Sequence, residues 1–406
     1  MKKIYLDYAA TTPLDKEVEK VMRPYYSKLF GNPMSLHSFG REASEAVEKS
    51  RTQVANFLGS NSKEIIFTSG ATESNNLAIR GVVLSYWQKG KKKPHIITTS
   101  FEHHCVLNTC QELEKEGLAE VTFIKPDKSG VIDPKKVARA IRPETILISI
   151  MYVNNEIGTI QPIAEIGKII KKLKTKNQKL FLHTDATQAI NYLDCNVKKL
   201  GVDLLSLSAH KIYGPKGVGC LYVKRGTPLK QIQLGGDQEN GKRAGTHNVP
   251  GIVGLGKAIS LVDNKNNKGL AKLRDWLIKK VLSEIPDSWL NGDSKLRTPN
   301  NINFGFRNVE GEALILMLDS YGIATSTGSA CSSGSLEPSH VLLSLGLRPE
   351  EAHGSLRITL GKQTTQEEIK YAFKTLKKVV SDLRKISGNV LDDYYKNNSS
   401  QKSIKS

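Results

Sequence analysis

An α/β fold, with a large domain on a mainly parallel mixed sheet flanked by helices and a smaller α+β domain, is what this sequence predicts, on three observations. Short apolar runs at residues 96–99, 121–124, 145–153, 179–183 and 202–207 alternate with stretches of helical spacing, the pattern of strands covered on both faces. Polar or glycine-containing segments follow directly on several of these runs, where open α/β sheets bind ligands. Past about residue 262 the alternation gives way to longer helices around an isolated strand. A chain of 406 residues holds two domains with a sizeable core. The expected division is residues 16–261 for the large domain, 1–15 with 262–390 for the small one, and a polar, disordered tail at 391–406.

Taken in order, the chain opens on a strand at Ile4-Tyr5-Leu6, and residues 15–26 form a short helix before the Gly31-Asn32-Pro33 loop. Residues 37–59 predict a helix closed by Gly59, because Ala43, Ala46, Val47, Val54, Phe57 and Leu58 recur at helical spacing. Residues 64–68 form a strand that turns through Ser69-Gly70 into a helix start. Pro162 suits a first helical turn, and Ile163, Ile166, Ile169, Ile170 and Leu173 line one face after it. A long helix follows over residues 269–285, using Leu270, Leu273, Trp276, Leu277 and Val281. Residues 301–306 alternate like a strand with one buried face. Thr365 with Glu368 makes a capping box for a last helix carrying Ile369, Phe373, Leu376, Val380 and Leu383.

Composition excludes several classes. No apolar run approaches the ~20 residues that span a bilayer, and the N-terminus has no signal-peptide core, so a cytoplasmic protein is expected. Five cysteines without metal-ligand spacing argue against a disulfide framework and a structural zinc site. The net charge of +19 is spread over lysines without interleaved aromatics, which reads as a solvated surface; direct nucleic-acid binding is not expected.

The chemistry gathers at strand ends. Lys211 closes the apolar run 202–207 and precedes the turn signals Gly214-Pro215 and Gly217. A lysine is ordinarily a solvated charge, and its company decides otherwise here. Ser69-Gly70-Ala71-Thr72 opens a helix whose free amides and dipole suit a phosphate, although any capped helix looks similar. Asp185 follows another strand, where it caps a helix or serves as a functional carboxylate. Glu102-His103-His104 and Asn154-Asn155-Glu156 follow two more. An amine, a phosphate seat, a carboxylate and an aromatic base at neighbouring strand ends meet the needs of pyridoxal phosphate.

Four ordered motifs then resemble the cysteine desulfurases of the NifS/IscS type, group I, in the class V aminotransferase superfamily: Ser69 to Ser74, Asn154 to Gly158, His183 to Gln188, and Ser208 to Gly217. The resemblance runs from about Tyr5 to Gly361. It implies fold-type I, pyridoxal 5'-phosphate, a homodimer, and removal of sulfur from L-cysteine to leave L-alanine. It implies Lys211 as the Schiff-base lysine, Asp185 as partner of the ring nitrogen, Gln188 as donor to the ring hydroxyl and His103 as the stacking, catalytic imidazole. Ala71, Thr72, Ser208 and His210 would hold the phosphate, with Thr246 reaching it from the other subunit. Asn155 would lie beside cofactor and substrate, and Arg357 would clamp the substrate carboxylate with its planar fork.

Cys331, within Gly328-Ser329-Ala330-Cys331-Ser332-Ser333-Gly334, resembles the catalytic loop cysteine that takes up sulfur as a persulfide and passes it to acceptor proteins such as an iron–sulfur scaffold. Its thiolate would attack the substrate sulfur after Lys211 removes the α-proton, and a nearby cation or His103 would favour ionisation. Transient contact of Cys331 with an iron–sulfur cluster is the sole metal contact envisaged. Cys105, Cys110, Cys195 and Cys220 adjoin apolar positions and read as buried or incidental thiols. A selenocysteine lyase or another pyridoxal-phosphate lyase on the same fold is the alternative, and a nucleic-acid-binding protein that has lost catalysis is the remote one. Four features depart from the family: Ala209 in place of glycine, the second histidine His104, a longer segment from Lys171 to Lys179, and a tail after about residue 388 unlike a scaffold-docking end.

Overall fold

The computed structural model describes residues 3–87, 92–173, 179–263, 267–328 and 337–387. After a first short strand, β1 (Ile4–Tyr5), seven strands make the principal sheet: β2 (Ile65–Thr68), β3 (His95–Thr99), β4 (Glu120–Ile124), β5 (Thr145–Ser149), β6 (Phe181–Asp185), β7 (Leu204–Ser208) and β8 (Gly219–Val223). Their spatial order is β2-β8-β7-β6-β5-β3-β4, and β8 alone runs against its neighbours. The expected mixed, mainly parallel sheet is present, completed by β8, which the sequence reading lacked.

Because successive strand residues point to opposite faces, each strand feeds two cores. Ile66, Ile96, Leu147, Leu204 and Leu221 pack under helices Ala71–Tyr86 and His104–Lys115. Phe67, Ile97, Ile148, Leu205 and Tyr222 pack under helices Ser38–Leu58, Ile163–Leu173 and Val249–Ser260. In Ile163–Leu173 the buried face is Ile163, Ile166 and Ile170, which contribute roughly 5–9 kcal/mol of transfer free energy before entropy is charged. Leu173, expected on that face, is exposed. Strand β5 ends at Ser149 rather than at Val153, because Asn154 Oδ1 accepts the amides of Glu156 and Ile157 and turns the chain.

Four further strands, β9 (Ser288–Leu290), β10 (Asn301–Phe306), β11 (Ile323–Ala324) and β12 (Ser355–Thr359), lie in the C-terminal part. β12-β10-β9 form an antiparallel sheet, and β1 pairs in parallel with β11. Helices Asn267–Glu284, Gly311–Ser320 and Gln366–Ser387 share a third core with Leu6, Ile302, Phe304 and Leu356. The capping box exists: Thr365 N–H donates to Glu368 Oε2 and Glu368 N–H to Thr365 Oγ1. All six β10 residues are buried, not alternate ones. Asn301 and Asn303 each donate Nδ2 to the Glu156 carbonyl, and Trp289 covers Gly305. Among the described residues no helix is long and apolar enough to cross a membrane.

Candidate active site

The carboxyl ends of β2, β3, β5, β6 and β7 open into one cavity of about 580 Å³, in the size range of small-molecule sites. Lys211 reaches it from a 3₁₀ turn, Ala209–Lys211, directly after β7. Its Nζ donates to the carbonyls of Ala9 at 2.5 Å and Ala10 at 2.7 Å. These belong to the segment that follows β1 and walls the cavity.

Gly70 stands between β2 and helix Ala71–Tyr86 with φ 155° and ψ −179°, a conformation open to glycine. The helix start carries no side-chain cap, so the first amides face the cavity with the positive dipole end. Ser208 and His210 line the same corner. Burial, reinforced by Lys211 and Lys216, pushes the His210 imidazole down to about 4, which leaves it neutral.

Asp185 ends β6 almost buried. It caps no helix: Oδ1 accepts the Thr187 amide at 2.9 Å, and Oδ2 accepts Asn75 Nδ2 at 2.6 Å. The same Asn75 nitrogen donates to Cys105 Sγ at 3.1 Å, and Cys105 Sγ lies 3.0 Å from His103 Nδ1. His103 caps helix His104–Lys115, its Nδ1 accepting the Cys105 amide. A nitrogen that accepts carries no proton, so the neutral ring is protonated on Nε2. Burial lowers the His103 imidazole and pushes the Cys105 thiol up to about 12. Cys105 is thus a correction to the expectation of an incidental cysteine: it lines the cavity as a hydrogen-bonded thiol.

Arg357 projects from the middle of β12 and is buried. Its Nη2 donates to Asp7 Oδ1 at 2.8 Å and its Nη1 to the Asn155 carbonyl at 3.0 Å. Arg357 Nε, Asn155 Oδ1 and Thr187 Oγ1 are buried without a hydrogen-bond partner, and all three residues line the cavity. Such orphans call for a polar ligand. Gln188 also lines it and gives its Nε2 to the Ala9 carbonyl.

The structure therefore brings together Ala71, Thr72, His103, Asn155, Asp185, Gln188, Ser208, His210, Lys211 and Arg357. Thr246 is exposed and does not line this cavity. Its flanks are pinned: Arg243 pairs with Glu73 at 2.8 Å, and His247 Nε2 pairs with Glu239 at 2.6 Å. Cys331 lies outside the described residues, as do residues 391–406; Gly328, three positions before Cys331, lines the cavity. Sequence reading missed Asp7, Ala9, Ala10, Asn75 and Thr187. No group of three or more potential metal ligands occurs among the described residues.

Residues 4–372 match the family described as aminotransferase class-V. The chain is 52% identical, over 95% of its length and 96% of the relative's, to a protein named cysteine desulfurase IscS from Dictyoglomus turgidum. A solved structure titled NIFS-like protein superposes with a TM-score of 0.86 at 37% identity, covering 94% of this chain and all of that one. Another, titled SspA in complex with cysteine, gives a TM-score of 0.78 at 40% identity over 88% of this chain and 99% of that one.

Proposed function

The chain belongs to the class-V aminotransferase family, and on that premise we propose that it is a cysteine desulfurase, which uses pyridoxal 5'-phosphate to move the sulfur of L-cysteine onto Cys331 and release L-alanine. The observation that carries this reading is the convergence of an amine, a buried carboxylate, an imidazole, an uncapped helix start and a buried guanidinium on one cavity. The donor set fits the cofactor: an anion seat and a carboxylate line the same cavity as Lys211, and the orphaned polar atoms await partners. When bound, pyridoxal phosphate supplies an electron sink for the charge that develops at the substrate α-carbon.

The chain's own residues supply the rest. Lys211 Nζ would hold the cofactor and then take the α-proton. Asp185, oriented by Asn75 and the Thr187 amide, would face the ring nitrogen as a carboxylate. Gln188 would serve the ring hydroxyl, and the first amides at Ala71 and Thr72 would hold the phosphate with Ser208 and His210. His103 would stack on the ring and offer the proton on Nε2. Arg357 and Asn155 would fix the substrate carboxylate. The substrate C–S bond breaks and an S–S bond forms on Cys331, so cysteine and a thiol become alanine and a persulfide with no external oxidant.

The proposal extends to a cytoplasmic homodimer that delivers sulfur to an acceptor such as an iron–sulfur scaffold, with residues 16–261 as the cofactor domain and 1–15 with 262–390 as the small domain. Supporting the dimer, Tyr26, Phe30, Met34, Leu36, Phe39 and Leu234 are exposed apolar side chains, and Thr246 is exposed for a second copy to use. The test has two arms. Lys211→Ala should abolish the visible absorbance of the purified protein, and an unchanged spectrum would sink the cofactor assignment. Cys331→Ser should keep that absorbance and lose persulfide formation; normal turnover of cysteine by this variant would refute the role of Cys331.

A further inference from the structure

Arg357 is the most constrained charge in the cavity. It sits in the middle of β12, with its Cα opposite Asn303 on β10 and its backbone bridged to Ser326. Its side chain is 4% exposed, and its two terminal nitrogens already have acceptors: Asp7 Oδ1 at 2.8 Å and the Asn155 carbonyl at 3.0 Å. Nε has none and is buried. A guanidinium held this way in the wall of a ligand cavity, with N–H groups beyond these two contacts, is a preset receptor for an oxyanion.

We propose that Asp7 is a positioning residue for the substrate: it fixes the roll of the Arg357 fork so that its remaining N–H groups meet the carboxylate of L-cysteine. This rests on the reading of Arg357 as the carboxylate clamp. Asp7 is itself fixed. Its backbone bridges Thr359 beside Arg357, and its carbonyl accepts the Tyr5 hydroxyl at 3.0 Å. Two residues further on, the Ala9 amide donates to Thr359 Oγ1 at 2.9 Å, and the Ala9 carbonyl accepts Lys211 Nζ. One short segment therefore sets the arginine with a side chain and the lysine with backbone oxygens. A lone guanidinium on a long side chain has rotamer freedom to lose on binding, and Asp7 removes that cost before the substrate arrives. Because the carboxylate is held alike before and during the reaction, its loss appears in KM and not in kcat.

The test is steady-state kinetics on the cofactor-loaded protein, with the dissociation constant of L-alanine read from the change in visible absorbance. Asp7→Asn keeps shape and one acceptor while removing the charge; Asp7→Ala removes both; Arg357→Ala is the reference. Expected for Asp7→Ala is a rise of about tenfold or more in both KM for L-cysteine and the alanine constant, with kcat within about twofold. Asp7→Asn should fall between it and the unchanged protein. Inhibition by cysteamine, which lacks the carboxylate, should not change in either. If Arg357→Ala raises KM and the Asp7 variants do not, positioning by Asp7 is refuted and the clamp stands. If Arg357→Ala leaves KM unchanged, the clamp fails and the proposal with it. Equal losses for cysteine and cysteamine also overturn it, because they mark a disturbed cavity instead of a misaligned fork.

Discussion

Glu239→Gln is the perturbation whose size follows most directly from the structure. The Glu239 carboxylate is 1% exposed and accepts Arg51 Nη1 and Nη2 at 2.6 and 2.8 Å, His247 Nε2 at 2.6 Å and the Phe67 amide at 3.0 Å. Burial alone would raise it, but Arg51 and His247 prevail and hold it down to about 2 from an ordinary 4.5. At 1.36 kcal/mol per pH unit this corresponds to about 3 kcal/mol of stability. Breaking a buried ion pair by removing one charge costs roughly 3–5 kcal/mol, so two independent routes agree. A depressed folded value means that the stabilisation is complete above 4.5 and is lost as pH falls from there through about 2. Urea unfolding followed by circular dichroism at pH 7 should show the Glu239→Gln midpoint lowered by roughly 1 M. Near pH 3 the gap between the two proteins should narrow. A midpoint within about 0.2 M at pH 7, or a gap constant with pH, would refute the reasoning. Arg51→Met combined with Glu239→Met should recover much of the loss, since no unpaired charge stays buried.

Two other outcomes complete the set. Asp185→Asn should keep the protein folded, because the amide oxygen can still accept from Thr187 and the amide nitrogen can donate to Asn75 Oδ1, now without a partner, once Asn75 flips; it should lower desulfurase turnover by on the order of 10²-fold, measured as alanine release, and near-normal turnover would remove Asp185 from the chemistry. Cys105, with its thiol near 12, is ionised to only ~10⁻⁴ at pH 8. Its alkylation by iodoacetamide, followed by peptide mass spectrometry, should climb about tenfold per pH unit through pH 10, and a plateau below that pH would show that the thiolate forms earlier.

The legible part of this site was its side chains at strand ends. Lys211, Asp185, His103 and the Ser69-Gly70 turn each follow an apolar run, and a parallel sheet necessarily collects such ends at one edge. What escaped has physical reasons. Ala9 and Ala10 act through carbonyl oxygens, which leave no signature in residue type. Asp7 and Arg357 are 350 positions apart and meet through β1, β11 and β12, a pairing no local pattern announces. Cys105 was misread because it sits in an apolar helix start, and only the cap geometry of His103 brings its sulfur to the imidazole. β8 was missed because Gly217 and Gly219 break the run that it begins. The one-faced expectation for β10 failed where Asn301 and Asn303 are buried by hydrogen bonds to a single carbonyl.

The pairing of β1 with β11 also carries a consequence for the making of the protein. Ile4 and Tyr5 lie opposite Ile323 and Ala324, so the first strand emerges from the ribosome with its partner some 319 residues away. At about 5–20 residues per second that wait lasts roughly 16–64 s. Throughout it the principal sheet, closed by residue 223, can assemble with Lys211 and its Ala9 and Ala10 carbonyls in place, because Thr12 bonds to His210 and Gln188 to Ala9, but without Arg357. Lys211 and its setting therefore belong to an early-folding unit and Gly328 and Arg357 to a late one, and release of the C-terminal third is what completes the cavity.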